Sequence, residues 1–227
     1  MNFLSKTLFT GMTVFAIINV ANAGVVVGGT RVIYDGNKKE ASVAVNNPDT
    51  TPYLIQSWID TQNKGSDAGK IPFIITPPLY RLEGGQKNVE RIVLTGTLPQ
   101  NQESLYWLNI KAIPSAKRSD NSLQIAIKTR IKLIYRPTAL TDVSLDKEAE
   151  NLTWRKSGDQ IQVTNPGNYV MSFGEILANG SRIENATYVL PNSTASFLLP
   201  SHNSGGSVTF KIINDYGGVG DTHRKNI

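Results

Sequence analysis

The segment LQIAIKTRIKLIYRP, residues 123–137, restricts the fold more than any other part of the chain. Its odd positions are Leu123, Ile125, Ile127, Thr129, Ile131, Leu133 and Tyr135. Its even positions include Lys128, Arg130, Lys132 and Arg136. Strict alternation is the signature of a β-strand, because successive side chains point to opposite faces. Fully extended, the segment would span about 50 Å, against ordinary strands of about five or six residues. A strand of that length can outrun its own sheet. The excess would expose unpaired backbone groups and a row of aliphatic side chains. Periodicity alone leaves two readings: Leu123, Ile125 and Ile127 face this protein's own core, or they serve a partner.

The rest of the chain repeats the strand pattern and gives almost no helix signal. GVVVGGTRVIYDG (24–36), EASVAVNN (40–47), YLIQSWID (53–60), PFIITPP (72–78), NVERIVLTG (88–96) and SLYWLNIKAIP (104–114) precede the long segment. Gly, Pro, Asn and Asp separate them. Seven or so strands at this spacing predict an antiparallel sandwich. RPTALTDVSLDKEAEN (136–151) interrupts the pattern and reads as a linker. Strand signals then resume at 152–158, 160–165, 169–179, 196–200 and 207–215, predicting a second, smaller β domain. The expected division is 1–23 leader, 24–143 first domain, 144–227 second domain.

The leader assignment rests on Lys6, the apolar run TLFTGMTVFAIINV and the Ala21-Asn22-Ala23 cleavage site. The apolar run is short for a membrane span. The mature chain, starting at Gly24, is therefore expected to be exported and to cross no membrane. Loss of Lys6 lowers the formal charge from +5 to +4. A basic exported protein can meet nucleic acid, anionic lipid or an acidic partner; with the cations spread along the chain, nucleic acid is not expected as a ligand. Absence of cysteine removes disulfides and thiolate sites from consideration.

Catalytic constellations are missing. The only histidines, His202 and His223, lie in loop-like context. No H-x-x-x-H pair or G-x-S-x-G elbow occurs. Gly84-Gly85 and Gly217-Gly218 read as turns, and Glu148 and Glu150 as solvated linker carboxylates. No enzyme activity, metal or cofactor is expected.

Several short stretches together resemble one family. They are Gly29-Thr30-Arg31-Val32-Ile33-Tyr34, Pro52-Tyr53-Leu54-Ile55-Gln56-Ser57-Trp58, Pro72 to Pro78 with Arg81-Leu82-Glu83, and Leu98-Pro99 with Glu103-Ser104-Leu105-Tyr106-Trp107-Leu108-Asn109. Leu123-Gln124-Ile125-Ala126-Ile127, Ile131-Lys132-Leu133-Ile134-Tyr135-Arg136-Pro137 and Asn214-Asp215-Tyr216-Gly217-Gly218 complete the set. In order and spacing they resemble the periplasmic pilus (fimbrial) chaperones of the chaperone–usher pathway.

The resemblance implies an all-β protein of two immunoglobulin-like sandwiches set as a boomerang around a cleft. It implies a periplasmic chaperone that lends a strand to incomplete pilus subunits and delivers them to an outer-membrane usher. Leu123, Ile125 and Ile127 would be the donated side chains. Arg31 and Lys132 would bind the subunit's C-terminal carboxylate and so set the register. Alternation places Lys132 on the face opposite Ile127, so a bulge, a twist or a carboxylate at the sheet edge must reconcile the two. Glu103, Arg136 and Asp215 would form a buried charge cluster that sets the domain angle. Pro52 and Thr76-Pro77-Pro78 would lie at edges.

Two departures stand out. Many relatives carry a disulfide in the second domain, and this chain has no cysteine. The polar tail VGDTHRKNI is not expected to form a strand. The short loop from Ser115 to Ser122 implies the subclass that serves rod-like pili. A dimer that caps the exposed strand of the free protein is a further expectation. The alternative is a two-domain adhesion or ligand-binding module using a basic cleft.

Overall fold

The computed structural model describes residues 24–61, 70–115, 123–142, 144–200 and 206–227. The expected leader, residues 1–23, and most of the expected short loop, residues 116–122, lie outside them. The first half contains β1 (Val26–Val27), β2 (Arg31–Asp35), β3 (Ala41–Asn46), β4 (Tyr53–Asp60), β5 (Phe73–Thr76), β6 (Leu79–Leu82), β7 (Lys87–Leu94), β8 (Ser104–Pro114) and β9 (Ile127–Arg136). They form two sheets, ordered β1-β3-β7-β5 and β2-β9-β8-β4-β6. The inward residues of both sheets, among them Tyr34, Val45, Ile55, Ile92, Leu108 and Leu133, make one core. This is the sandwich that period-two alternation predicts.

The amino-terminal segment serves both sheets. β1 pairs antiparallel with β3, whereas β2 runs parallel to β9. The switch occurs at Gly28-Gly29-Thr30, where Gly29 has φ +127°, a conformation that side chains disfavour. β5 and β6 are the outer strands of their respective sheets. Pro77 and Pro78 join them, so these two prolines lie at edges, where a missing N–H breaks no ladder; Pro52, also expected at an edge, instead precedes β4, which is paired on both sides.

The second half contains α1 (Leu145–Ala149), β10 (Thr153–Ser157), β11 (Gln160–Asn165), β12 (Met171–Ala178), β13 (Ser181–Arg182), β14 (Tyr188–Val189), β15 (Ser193–Leu198), β16 (Ser207–Ile213) and β17 (Val219–Asn226). One sheet is ordered β10-β11-β15 and the other β13-β12-β16-β17, with β14 also on β12. Trp154, Phe173 and Phe210 pack together at the centre of a separate core.

Three sequence expectations need correction. The sheet-paired part of the long segment begins at Ile127; residues 123–126 precede it and are exposed. The linker is not purely irregular: it holds a 3-10 turn, Thr138–Leu140, and α1. The polar tail is a strand, β17, paired along β16 from Ser207↔Asn226 to Ile213↔Val219. Polar composition hides it because an outer strand needs only the ladder and one inward anchor. That anchor is His223, buried, stacked on Phe210 at 5.1 Å and held by Glu150 at 2.7 Å. Glu150 also takes Lys225 at 2.9 Å, so it is exposed but not idle.

Candidate functional site

The parallel pairing of β2 with β9 puts Arg31 directly beside Lys132, at the point where β2 begins. Val32 and Tyr34 point into the core, so Arg31 points outward, toward the second sandwich. Its Nη1 donates to the carbonyl of Ile213 at 3.2 Å. Its Nε is buried and has no hydrogen-bond partner among the described residues. The Lys132 ammonium lies 5.6 Å from the Trp107 ring centre and 5.2 Å from that of Tyr188. No carboxylate among the described residues forms an ion pair with either cation. Burial, and then the Arg31 charge, push the Lys132 ammonium down to about 8. Burial also lowers Arg31, against the raising pull of Asp215 and Glu103. Two like charges held together without a counter-ion are costly. An anion brought beside them would offset that cost.

Four residues along β9, the opposite arrangement holds. Arg136 is buried, yet every side of its guanidinium is met. Nε donates to Glu103 at 2.6 Å, Nη1 to Asp215 Oδ2 at 2.5 Å and Nη2 to Asp215 Oδ1 at 2.8 Å. The second Glu103 oxygen accepts the Val170 amide at 2.7 Å. Burial disfavours the Arg136 charge, but the two carboxylates outweigh it and raise the guanidinium above its usual range. Glu103 and Arg136 come from the first sandwich, and Val170 and Asp215 from the second. The cluster therefore ties the two together.

The three aliphatic candidates lie beyond the first core. Leu123 is 85%, Ile125 64% and Ile127 51% exposed. Ile131, Leu133 and Tyr135, on the same face of the same strand, are buried. The β8–β9 register runs without a bulge from Ser104↔Tyr135 to Ala112↔Ile127. Lys132 is therefore on the face opposite Ile127. What brings them to one place is the edge. β2 flanks β9 only from Lys132 onward, and no described strand pairs with residues 127–131 on that side.

The cationic face of β9 is lined by aromatic rings. Trp58, Asn109 and Arg130 are cross-strand neighbours, as are Asp60, Trp107 and Lys132. Arg130 pairs with Asp60 at 2.8 Å, and its guanidinium carbon lies 4.4 Å from the Trp107 ring centre. Lys128 lies 5.9 Å from that of Trp58. Trp107, Tyr188 and the Ile213 carbonyl were not predicted as site members. Register with Lys132 could have pointed to Trp107; no local signal points to the other two.

Two family models match the chain in tandem. The pili and flagellar-assembly chaperone, PapD N-terminal domain, matches residues 24–141, and the pili assembly chaperone PapD, C-terminal domain, matches 147–224. The chaperone protein LpfB of Salmonella typhimurium is 46% identical, with 98% of this chain and 99% of the relative covered. The chaperone protein FimC of Escherichia coli is 40% identical, with 93% and 89% covered. A chain from the solved structure of the Salmonella enterica SafA pilin in complex with the SafB chaperone superposes with a TM-score of 0.82 at 32% identity. That match covers 90% of this chain and 96% of the other.

Proposed function

The chain belongs to the pilus-assembly chaperone family, and from that premise we propose that it binds incomplete pilus subunits in the periplasm and presents them to an outer-membrane usher. The observation that carries the reading is the coincidence of three features at one point of β9. The aliphatic row of Leu123, Ile125 and Ile127 is exposed. The edge beside residues 127–131 is open among the described residues. Arg31 and Lys132, with no acid partner among the described residues, stand where that edge ends.

Direction follows from β2. A strand added along the open edge in line with β2 also runs parallel to β9. Its C-terminal end then meets the start of β2, where Arg31 and Lys132 wait. A terminal carboxylate there accepts charge-assisted hydrogen bonds worth about 1.5–3 kcal/mol each. The three aliphatic side chains contribute roughly 1.5–3 kcal/mol apiece once buried in a subunit groove. The carboxylate sits at the sheet edge, so no bulge is needed for both faces of β9 to serve one partner. Arg136, Glu103 and Asp215 hold the angle between the sandwiches, with the division placed at 143/144. The short loop favours subunits of rod-like pili, and the free protein caps its edge by pairing two copies.

The test is capture of the protein from the periplasm of its host and native mass spectrometry of the complexes. A one-to-one complex with a pilin, lost in Arg31→Ala and Lys132→Ala, supports the reading. A complex indifferent to both changes would sink the anchor.

A further inference from the structure

We infer that Tyr188 is a positioning residue of the carboxylate anchor: reaching over from the second sandwich, its ring and that of Trp107 hold the Lys132 ammonium beside the Arg31 guanidinium. The inference rests on the anchor reading given above and goes beyond it, since it assigns a role to a side chain outside the cation pair and outside the donated strand.

A lysine ammonium is a compact charge on a flexible four-carbon stem. Left without an acid partner at a cleft, it would swing toward water. Lys132 does not. Trp107 is its cross-strand neighbour on β8, and the ammonium lies over that ring. Tyr188 closes on it from the second sandwich, with the two ring centres 6.1 Å apart and the planes inclined by 61°. Ring faces attract a cation through their quadrupoles without neutralising it. An aspartate or glutamate in the same place would hold the lysine equally well, but would compete with an incoming carboxylate. Aromatic holding keeps both the charge and the N–H donors available.

The placement of Tyr188 comes from tertiary structure. β14 is two residues long and is fixed by pairing with β12, at Ser172↔Tyr188. The contact with Lys132 exists only while the two sandwiches keep their angle, which the Arg136 cluster secures. Arg31 is held in the same way, through the Ile213 carbonyl of the second sandwich. Both cations of the anchor are thus aimed by groups from the other half of the molecule.

The charged and titratable groups facing Lys132 are Arg31 on β2, Arg130 with its partner Asp60 on β9 and β4, and the Tyr188 phenol on β14. Burial raises the phenol, with Arg130 pulling the other way, so the ring stays neutral while Lys132 titrates. Removing Tyr188 lets water reach Lys132 and returns its titration toward that of a free lysine.

The experiment uses the mature protein and an alternating apolar peptide copied from a pilin C-terminal strand, made both as the free acid and as the amide. Calorimetry from about pH 6 to about pH 10 reads the preference for acid over amide. Tyr188→Ala is expected to cut that preference about tenfold and to move its loss above pH 8, while Tyr188→Phe keeps the wild-type profile. Tyr188→Leu replaces the alanine variant if the latter does not fold, with the same expectation. An acid preference and pH profile unchanged in Tyr188→Ala or Tyr188→Leu would overturn the inference while leaving the anchor intact. An acid preference that survives Arg31→Ala and Lys132→Ala would instead overturn the anchor itself.

Discussion

Lys132 and Arg136 stand four residues apart on one face of β9, and each is next to a residue of β2. Arg136 is buried and Lys132 half-buried. Arg136 spends its donors on two carboxylates, and Glu103 in turn accepts a backbone amide. Lys132 and its neighbour Arg31 have aromatic rings and one carbonyl, and no acid among the described residues. The first site is a closed network and the second an open one. A closed ionic network stabilises one arrangement of the molecule, because removal of any member strands the others. An open one raises the energy of the free protein and is relieved by a ligand that brings the missing charge. The same residue chemistry is thus closed on itself at one end of a strand and, among the described residues, left without a counter-charge at the other.

The comparison breaks most visibly at Arg136. Arg136→Ala leaves Glu103 buried without its cation. Loss of about 3–5 kcal/mol of stability is expected, read as a large fall in the unfolding midpoint in denaturant. A fall as small as that of an exposed substitution would mean the cluster is not closed.

Arg31→Ala and Lys132→Ala should behave in the opposite way. Each is expected to leave the unfolding midpoint unchanged or slightly raised, because a poorly compensated buried charge is removed. Each should weaken binding of a C-terminal carboxylate by about 1.5–3 kcal/mol, measured as the ratio of acid to amide peptide affinity. Strong destabilisation by either change would erase the distinction between the two sites.

The pH dependence sharpens it. Lys132 must be charged to bind a carboxylate, and in the free protein it titrates at about 8. Below that value affinity should be flat. Above it, binding must take up a proton, and affinity should fall up to about tenfold per pH unit. Stability of the free protein moves the other way. The folded form releases this proton more readily than the unfolded chain, so stability should rise from about pH 8 toward the ordinary lysine value of 10.5. A binding curve flat to pH 10.5 would show that Lys132 takes no part.

Glu90 supplies the smallest effect and a control. It is fully buried in the first core, accepts hydrogen bonds from Ser57 at 2.6 Å and Tyr80 at 3.0 Å, and has its second oxygen unpartnered. Among the described residues it has no cation partner, and it lies away from the open edge. Burial raises its titration, with the two hydrogen bonds pulling back. The folded form therefore holds this proton more tightly, and its contribution to stability declines as pH rises above 4.5. Glu90→Gln should gain about 1 kcal/mol at neutral pH, a gain that shrinks on acidification, with peptide binding untouched. A binding defect would show that unpaired charge matters wherever it lies.

Much of this was legible in the chain. Alternation is a local property, so strand after strand and the two sandwiches could be read from spacing, whereas spacing left Leu123, Ile125 and Ile127 between the protein's own core and a partner until the structure showed them exposed. Arg31, Lys132, Glu103, Arg136 and Asp215 were reached through resemblance, because residues far apart in sequence carry no local sign that they meet. The tail was misread for a related reason. VGDTHRKN lacks alternation because an outer strand is held by its ladder, and its one inward residue, His223, is polar.

The sequence by itself determined the strand periods, the absence of cysteine chemistry and the aliphatic row of Leu123, Ile125 and Ile127; that this row lies beyond the core was decided by the structure. Tertiary structure alone decided where β2 stops flanking β9, and hence where the open edge begins. It also decided that Tyr188 and Ile213 of the second sandwich would aim the two cations of the first. The reason is physical: side-chain alternation is set by the pleat of one strand, whereas edges, counter-charges and aromatic contacts depend on which strands are brought side by side.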